Sequence, residues 1–266
     1  MKFETILLQK ADGIATITLN RPDELNILTI KMTEELLQAL TDIADDKSVR
    51  VAILTGAGRH FSAGIKLQER FMEPIEKNRR GEYGPALAYL FGTKGVPALM
   101  NLGKPIIAAV NGAAIGLGST LCMACDMRIA SEKAKFSFAF VKMGVSAEFG
   151  STWILPRLIG IGKSLELLYT GKIVEAAEAK EIGLVNQVVP PDKLLGAASE
   201  MARTIASMPP ISIKLIREGV FQGAQTDLQS ALKSESTAFR LCLSTDDHEE
   251  GVRAFLEKRT PNFKGK

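Results

Sequence analysis

Glu148 is the one carboxylate in Phe140–Trp153, a run made mostly of apolar and small residues. A lone glutamate is usually a solvated surface residue; if this one were shielded from water it would be harder to ionise and a stronger base once ionised. A second stretch, Lys104–Asp126, couples an apolar run (Ile106–Val110) to Asn111-Gly112, then Gly116 and Gly118, then a helix-like run from Ser119 to Cys125. This is a strand, a tight glycine turn and a helix start. The first turn of a helix leaves backbone N–H groups unpartnered, and small residues let a ligand oxygen approach them. The turn is read as the holder of a developing oxyanion, not of a phosphate. A third segment, His60-Phe61-Ser62-Ala63-Gly64-Ile65-Lys66-Leu67, follows a strand. It fits a second set of exposed donors or a plain connecting loop, and connectors are the default use of such residues.

Other chemistries find less support. Cys122 and Cys125 have the spacing of a metal half-site, but no second pair or histidine follows, so they are read as core cysteines and no metal is expected. Gly112, Gly116 and Gly118 do not form G-x-G-x-x-G, which argues against a dinucleotide. His60 and His248 are the only histidines, and no G-x-S-x-G elbow accompanies them. Lys66, Lys258 and Lys264 are candidates to meet a substrate's phosphates.

The elements that must position these residues alternate. Phe3–Leu8 and Ile14–Leu19 read as a hairpin turned by Ala11-Asp12-Gly13. Thr29 reads as the N-cap of a helix carrying Met32, Leu36, Leu37, Leu40 and Ile43 at helical spacing. Val49–Thr55 reads as a buried strand. Glu69–Leu102 is weakly patterned and is read as helix with a mobile connector over a pocket. Met127–Ala130, Lys135–Phe138 and Val185–Val189 read as strands. Trp153–Ile159, Gly162–Thr170 and Glu175–Ile182 read as helices. Beyond Pro190-Pro191 the pattern is helical throughout: 194–207, 211–222, 228–243 and 249–258. The expected division is 1–195 as an α/β core holding the site and 196–266 as a helical region packed on that core or on another subunit.

The 266 residues are 46% hydrophobic and 24% charged, an ordinary globular balance. A net charge of +3, with no lysine-rich helix, argues against nucleic acid as a partner. Three cysteines make no disulfide framework, and the N-terminus has no apolar signal core, so a cytoplasmic location is expected. No apolar run approaches the roughly 20 residues that span a bilayer, so no membrane partner is expected.

Ala63-Gly64, Val110–Gly118 and Cys125-Asp126 occur here in that order. With Asn20-Arg21-Pro22, Leu155-Pro156-Arg157, Gly183-Leu184-Val185 and the tail Phe255–Arg259, they make the chain resemble the enoyl-CoA hydratase/isomerase (crotonase) superfamily over nearly its whole length. The resemblance implies an α/β fold, a spiral of ββα units with a C-terminal helical trimerisation region. It implies an acyl-CoA thioester substrate, a homotrimer or hexamer, and no cofactor apart from the coenzyme A of the substrate. It assigns an oxyanion hole to the backbone N–H groups of Ile65 and Leu117. Substrate contacts fall to Ser62, Ala63, Gly64, Lys66, Gly116, Thr120 and Phe140, with Lys66 standing where the family usually has an acid. The hydratases of the family look to use two glutamates, whose matching positions here are Thr120 and Phe140. Glu148 stands where the enoyl-CoA isomerases and the epoxyphenylacetyl-CoA isomerase type look to carry Asp. The implied chemistry is a double-bond shift with Glu148 as base, kept dry by Val145, Phe149 and Trp153; the alternatives are a hydratase using Glu148 alone and a catalytically silent acyl-CoA-binding subunit.

Overall fold

The computed structural model describes residues 3–82 and 87–266. Its larger sheet has six strands in the order β1-β2-β3-β4-β6-β9: β1 (Ile6–Ala11), β2 (Ile14–Leu19), β3 (Val51–Gly56), β4 (Ile106–Val110), β6 (Met127–Ser131) and β9 (Gln187–Val189). The β1–β2 pair is antiparallel and every later pair is parallel. A three-stranded sheet holds β5 (Ala113–Ile115), β7 (Lys135–Ser137) and β8 (Val174–Glu175). Successive units place one strand in each sheet and then turn into a helix. Thus β4 and β5 lead into α4 (Leu117–Met123), and β6 and β7 lead through a 3₁₀ turn at Ala139–Met143 into α5 (Ser151–Ile159).

All residues of β3 and β4 are buried, as expected of parallel strands covered on both faces. Their side chains alternate between two cores. Ala52, Leu54, Ile106, Ala108 and Val110 join Met32, Leu36 and Leu40 of α1 (Ile30–Asp45), and Leu117 and Leu121 of α4. Val51, Ile53, Ile107, Ala109 and Ile129 meet Leu194, Ala198 and Ala202 of α8 (Leu194–Ala206). The expected division between 195 and 196 therefore falls inside a helix that covers one face of the main sheet. Burying that face forces α8 into the core.

Thr29 caps α1 as anticipated, its Oγ1 accepting from Met32 N at 3.2 Å. The first strand sits later than expected. Asp12 (φ 50°) and Gly13 (φ 76°) form a two-residue turn that pairs Ala11 with Ile14, so β1 runs on through the polar Gln9 and Lys10. The weakly patterned stretch contains one π-helical turn (Gln68–Met72), α2 (Glu73–Arg79) and α3 (Leu87–Met100). The expected connector at 83–86 lies outside the described residues.

Three long C-terminal helices follow: α9 (Pro210–Gly223), α10 (Leu228–Leu243) and α11 (Asp246–Glu257). α9 is fastened to the core through Arg217. Its Nε donates to Asp126 at 2.9 Å, and its remaining nitrogens bond the carbonyls of Leu99 and Met100 at the end of α3. α11 begins three residues before the apolar pattern suggests, because Thr245 caps it by accepting from His248 N at 3.1 Å.

Candidate active site

Strands β3 and β4 are parallel neighbours, so the loops leaving their C-terminal ends lie side by side, where α/β sheets commonly bind ligands. The loop after β3 is stitched onto β5. Phe61 N and Ser62 N both donate to Ala113 O at 3.0 Å, and Ile115 N donates back to Ser62 O at 3.0 Å. Two glycines permit this approach. A Cβ on Gly118 would collide with the Ser62 carbonyl. A Cβ on Gly64, whose φ is +94°, would meet Ile115 O at 2.7 Å and Leu117 N at 3.7 Å. Gly64 thus sits directly against the turn that opens α4. Among the described residues, neither the Ile65 N–H nor the Leu117 N–H has an acceptor, and both residues line one cavity of about 520 Å³.

Ala63, Gly64, Ile65, Gly116 and Leu117 form one side of that cavity, and Glu148 and Ser146 stand on it as well. Ile27, Leu67, Phe71, Phe140, Met143 and Val145 supply apolar walls. Glu148 is aimed by its own backbone. Its carbonyl accepts from Ser151 N at 3.0 Å and from Ser151 Oγ at 2.6 Å at the start of α5. Phe149 adopts a left-handed conformation (φ 54°) and sinks into the core, leaving the half-buried Glu148 side chain on the cavity wall.

Burial pushes the Glu148 carboxyl above the ordinary glutamate range, and the positive charge of Arg70 opposes part of that rise. Arg70 is itself buried in the π-helical turn, with Nη2 donating to Thr33 Oγ1 at 3.1 Å and Nε 3.9 Å from Glu69. Should Glu148 act as a general base, its raised pKa gives a definite pH dependence. The acid limb of kcat/KM should have its midpoint above the range of a free glutamate, with activity rising as pH increases through it. A pH–rate profile checks this; a midpoint in the ordinary range would remove Glu148 from the role.

Of the residues expected to contact substrate, Ala63, Gly64, Gly116 and Phe140 stand on the cavity wall. Ser62 and Thr120 do not. Both are fully buried, with Ser62 Oγ donating to Asn26 O at 2.8 Å and Thr120 Oγ1 to Leu117 O at 3.2 Å. Their hydroxyls are spent inside the protein, so they shape the site from behind. Lys66 is exposed and does not line the cavity, and Lys258 and Lys264 are exposed as well. Of the residues expected to shield Glu148, Val145 lines the same cavity and Phe149 and Trp153 do not. Phe149 belongs to the core, and Trp153 lies under the Arg157 guanidinium, 4.0 Å from its ring centre, along a different cleft. Ile27, Phe71 and Arg70 were not anticipated. The first two are apolar residues in segments whose direction only tertiary structure reveals, and Arg70 lies where helical periodicity is interrupted by the π turn. Cys122 and Cys125 are buried in and just after α4, and burial pushes the Cys125 thiol up to about 12. Among the described residues no group of three His, Cys, Asp or Glu side chains is placed to hold a metal ion, and no helix is long and apolar enough to cross a membrane.

The chain as a whole is similar to known proteins. A sequence model described as enoyl-CoA hydratase/isomerase matches residues 9–266. A crotonyl-CoA hydratase of Syntrophomonas wolfei is 40% identical over 264 residues, 99% of each chain. A 1,2-epoxyphenylacetyl-CoA isomerase of Escherichia coli K12 is 37% identical over 263 residues, again 99% of each chain. The crystal structure of an enoyl-CoA hydratase from Bacillus anthracis superposes with a TM-score of 0.92 at 40% identity, covering 99% of this chain and 100% of that one. The two sheets and their helices are those of a crotonase-fold enzyme. The chain belongs to the enoyl-CoA hydratase/isomerase family, whose members process acyl-CoA thioesters.

Proposed function

We propose that this enzyme is an enoyl-CoA isomerase that converts a 3-enoyl-CoA to a 2-enoyl-CoA. Glu148 takes a proton from C2, and the electron pair of that C–H bond moves through the conjugated unit onto the thioester oxygen. The Ile65 and Leu117 N–H groups hold the resulting dienolate oxygen, each donor worth about 3–4 kcal/mol in comparable holes. Glu148 then returns the proton to C4 as the carbonyl re-forms, leaving the double bond between C2 and C3. No water enters the product.

The observation that supports this reading is the solitary acid. Hydration wants one group to activate water and another to deliver a proton at C2. Glu148 is the one ionisable side chain on the cavity among the described residues, Phe140 closes the wall beside it, and Thr120 is turned away. A panel of 2-enoyl-, 3-enoyl- and epoxy-aryl-CoA substrates followed by product mass tests it. The ultraviolet absorbance of a conjugated 2-enoyl thioester appearing from the 3-enoyl substrate at unchanged mass fits isomerisation. A product heavier by one water from the 2-enoyl substrate, with the 3-enoyl substrate untouched, would make it a hydratase working with a single acid. Acyl-CoA binding with turnover of no substrate would mark a catalytically silent binding subunit.

We also propose a homotrimer, or a hexamer of paired trimers, built through the C-terminal helices. Phe239, Val252, Phe255 and Leu256 are exposed in the single chain, and α10 has no buried residue. Such an apolar surface calls for a partner, and light scattering that returns the mass of one chain would exclude this assembly.

A further inference from the structure

We infer that Asn26 is a positioning residue that aims the Ile65 N–H into the cavity, an inference that rests on the oxyanion-hole reading above. Asn26 is 0% exposed, and it follows Leu25 in a pair of left-handed residues, φ 55° and 51°. That conformation is sterically costly for residues with a Cβ, so something must hold it. All of its polar groups are engaged. Its N–H donates to Arg21 O at 2.9 Å, and its Oδ1 accepts from Arg21 N at 2.8 Å. Its Nδ2 donates to Ala57 O at 2.9 Å and His60 O at 2.8 Å, and its own carbonyl accepts from Ser62 Oγ at 2.8 Å. One side chain therefore joins the end of β2 to the loop after β3 that carries Ala63, Gly64 and Ile65.

The consequence falls on one peptide plane. With Asn26 fixed, the chain continues to Leu28, whose N–H donates to Gly64 O at 2.6 Å. Behind it, Leu25 O accepts from Ala63 N at 3.0 Å, and Ser62 Oγ accepts from Gly64 N at 3.2 Å. The Gly64 carbonyl and the Ile65 N–H belong to the same planar trans peptide and point in opposite directions. Holding the carbonyl toward Leu28 turns the N–H away from it, toward the cavity. The same hydrogen bond polarises the peptide and strengthens Ile65 as a donor. Ile27, between the two anchoring residues, lines the cavity itself, so this short segment both shapes the pocket and orients its donor.

The test compares wild type with Asn26→Asp, which keeps the acceptor at Oδ1 but turns a second oxygen toward the carbonyls of Ala57 and His60. Ser62→Ala provides an independent lesion in the same network. The probe is butyryl-CoA labelled with carbon-13 at the carbonyl, read by isotope-edited infrared spectroscopy, alongside kcat and KM on a 3-enoyl-CoA. Wild type should shift the bound carbonyl band to lower frequency. Both variants should lose part of that shift, with kcat down roughly 100-fold, as expected of a donor misplaced by about 1 Å, and KM near wild type. Folded variants that keep the full shift overturn the inference, whether kcat is retained or falls. An unshifted band in wild type would instead sink the oxyanion-hole reading itself. If Asn26→Asp does not fold, the Ser62→Ala band decides.

Discussion

Replacing Glu148 with Gln should abolish isomerisation of a 3-enoyl-CoA while leaving acyl-CoA binding intact. Glutamine keeps the shape of the side chain but cannot accept the C2 proton. General bases contribute roughly 10²–10⁴-fold in favourable sites. With no other ionisable group on the cavity among the described residues, the loss should lie at the upper end of that range. The same substitution should raise the melting temperature at neutral pH. Burial lifts the Glu148 pKa in the folded state, so folded protein binds the proton more tightly than unfolded protein. Its contribution to stability is then fully present below the unfolded-state pKa and is lost as pH rises through the folded-state value. Glutamine has no charge to lose hydration, and the gain should vanish in acid. Wild-type turnover by the variant, measured spectrophotometrically, would refute the assignment. A lower melting temperature at neutral pH would show that Glu148 is held by favourable contacts and is not a strained base.

The second large effect is expected at Gly118. An alanine there would drive its methyl group into the Ser62 carbonyl, and Ser62 O is the atom through which Ile115 ties the two donor segments together. The segments must separate, and the Ile65 and Leu117 N–H groups then lose their common focus. Loss of one oxyanion donor costs about 10²–10³ in kcat, and Gly118→Ala should fall in that range or beyond. Steady-state kinetics on protein shown to be folded by circular dichroism decides it. A variant with unimpaired kcat would mean that the two segments do not act together.

The parts of the architecture visible in the sequence were those that repeat a simple period or carry their own stop signals. β3 and β4 stand out as unbroken apolar runs because both of their faces are covered, and Thr29 announces α1 because a hydroxyl must satisfy its first turn. The glycine turn after β4 was legible because only small residues allow backbone to pass so close to the Ser62 loop. Side-chain direction was not legible. Ser62 and Thr120 lie within a few residues of the donors, yet both point into the protein, since the hydrogen-bond needs of neighbouring backbone decide their rotamers. Arg70 and Phe71 were hidden for another reason: the π turn disrupts the 3.6-residue pattern in which a cavity wall would show. Asn26 falls in no motif or periodic run of the sequence. Only its partners, distant in the chain, reveal what it holds.

One label experiment bears most directly on the single-carboxylate shuttle. A 3-enoyl-CoA carrying two deuterons at C2 is converted in ordinary water and the earliest product is analysed by mass spectrometry. The account predicts a 2-enoyl-CoA with a measurable share of deuterium at C4, carried there by Glu148. A 3-hydroxyacyl product, or a 2-enoyl product whose C4 carries no deuterium from the first time point, would contradict it.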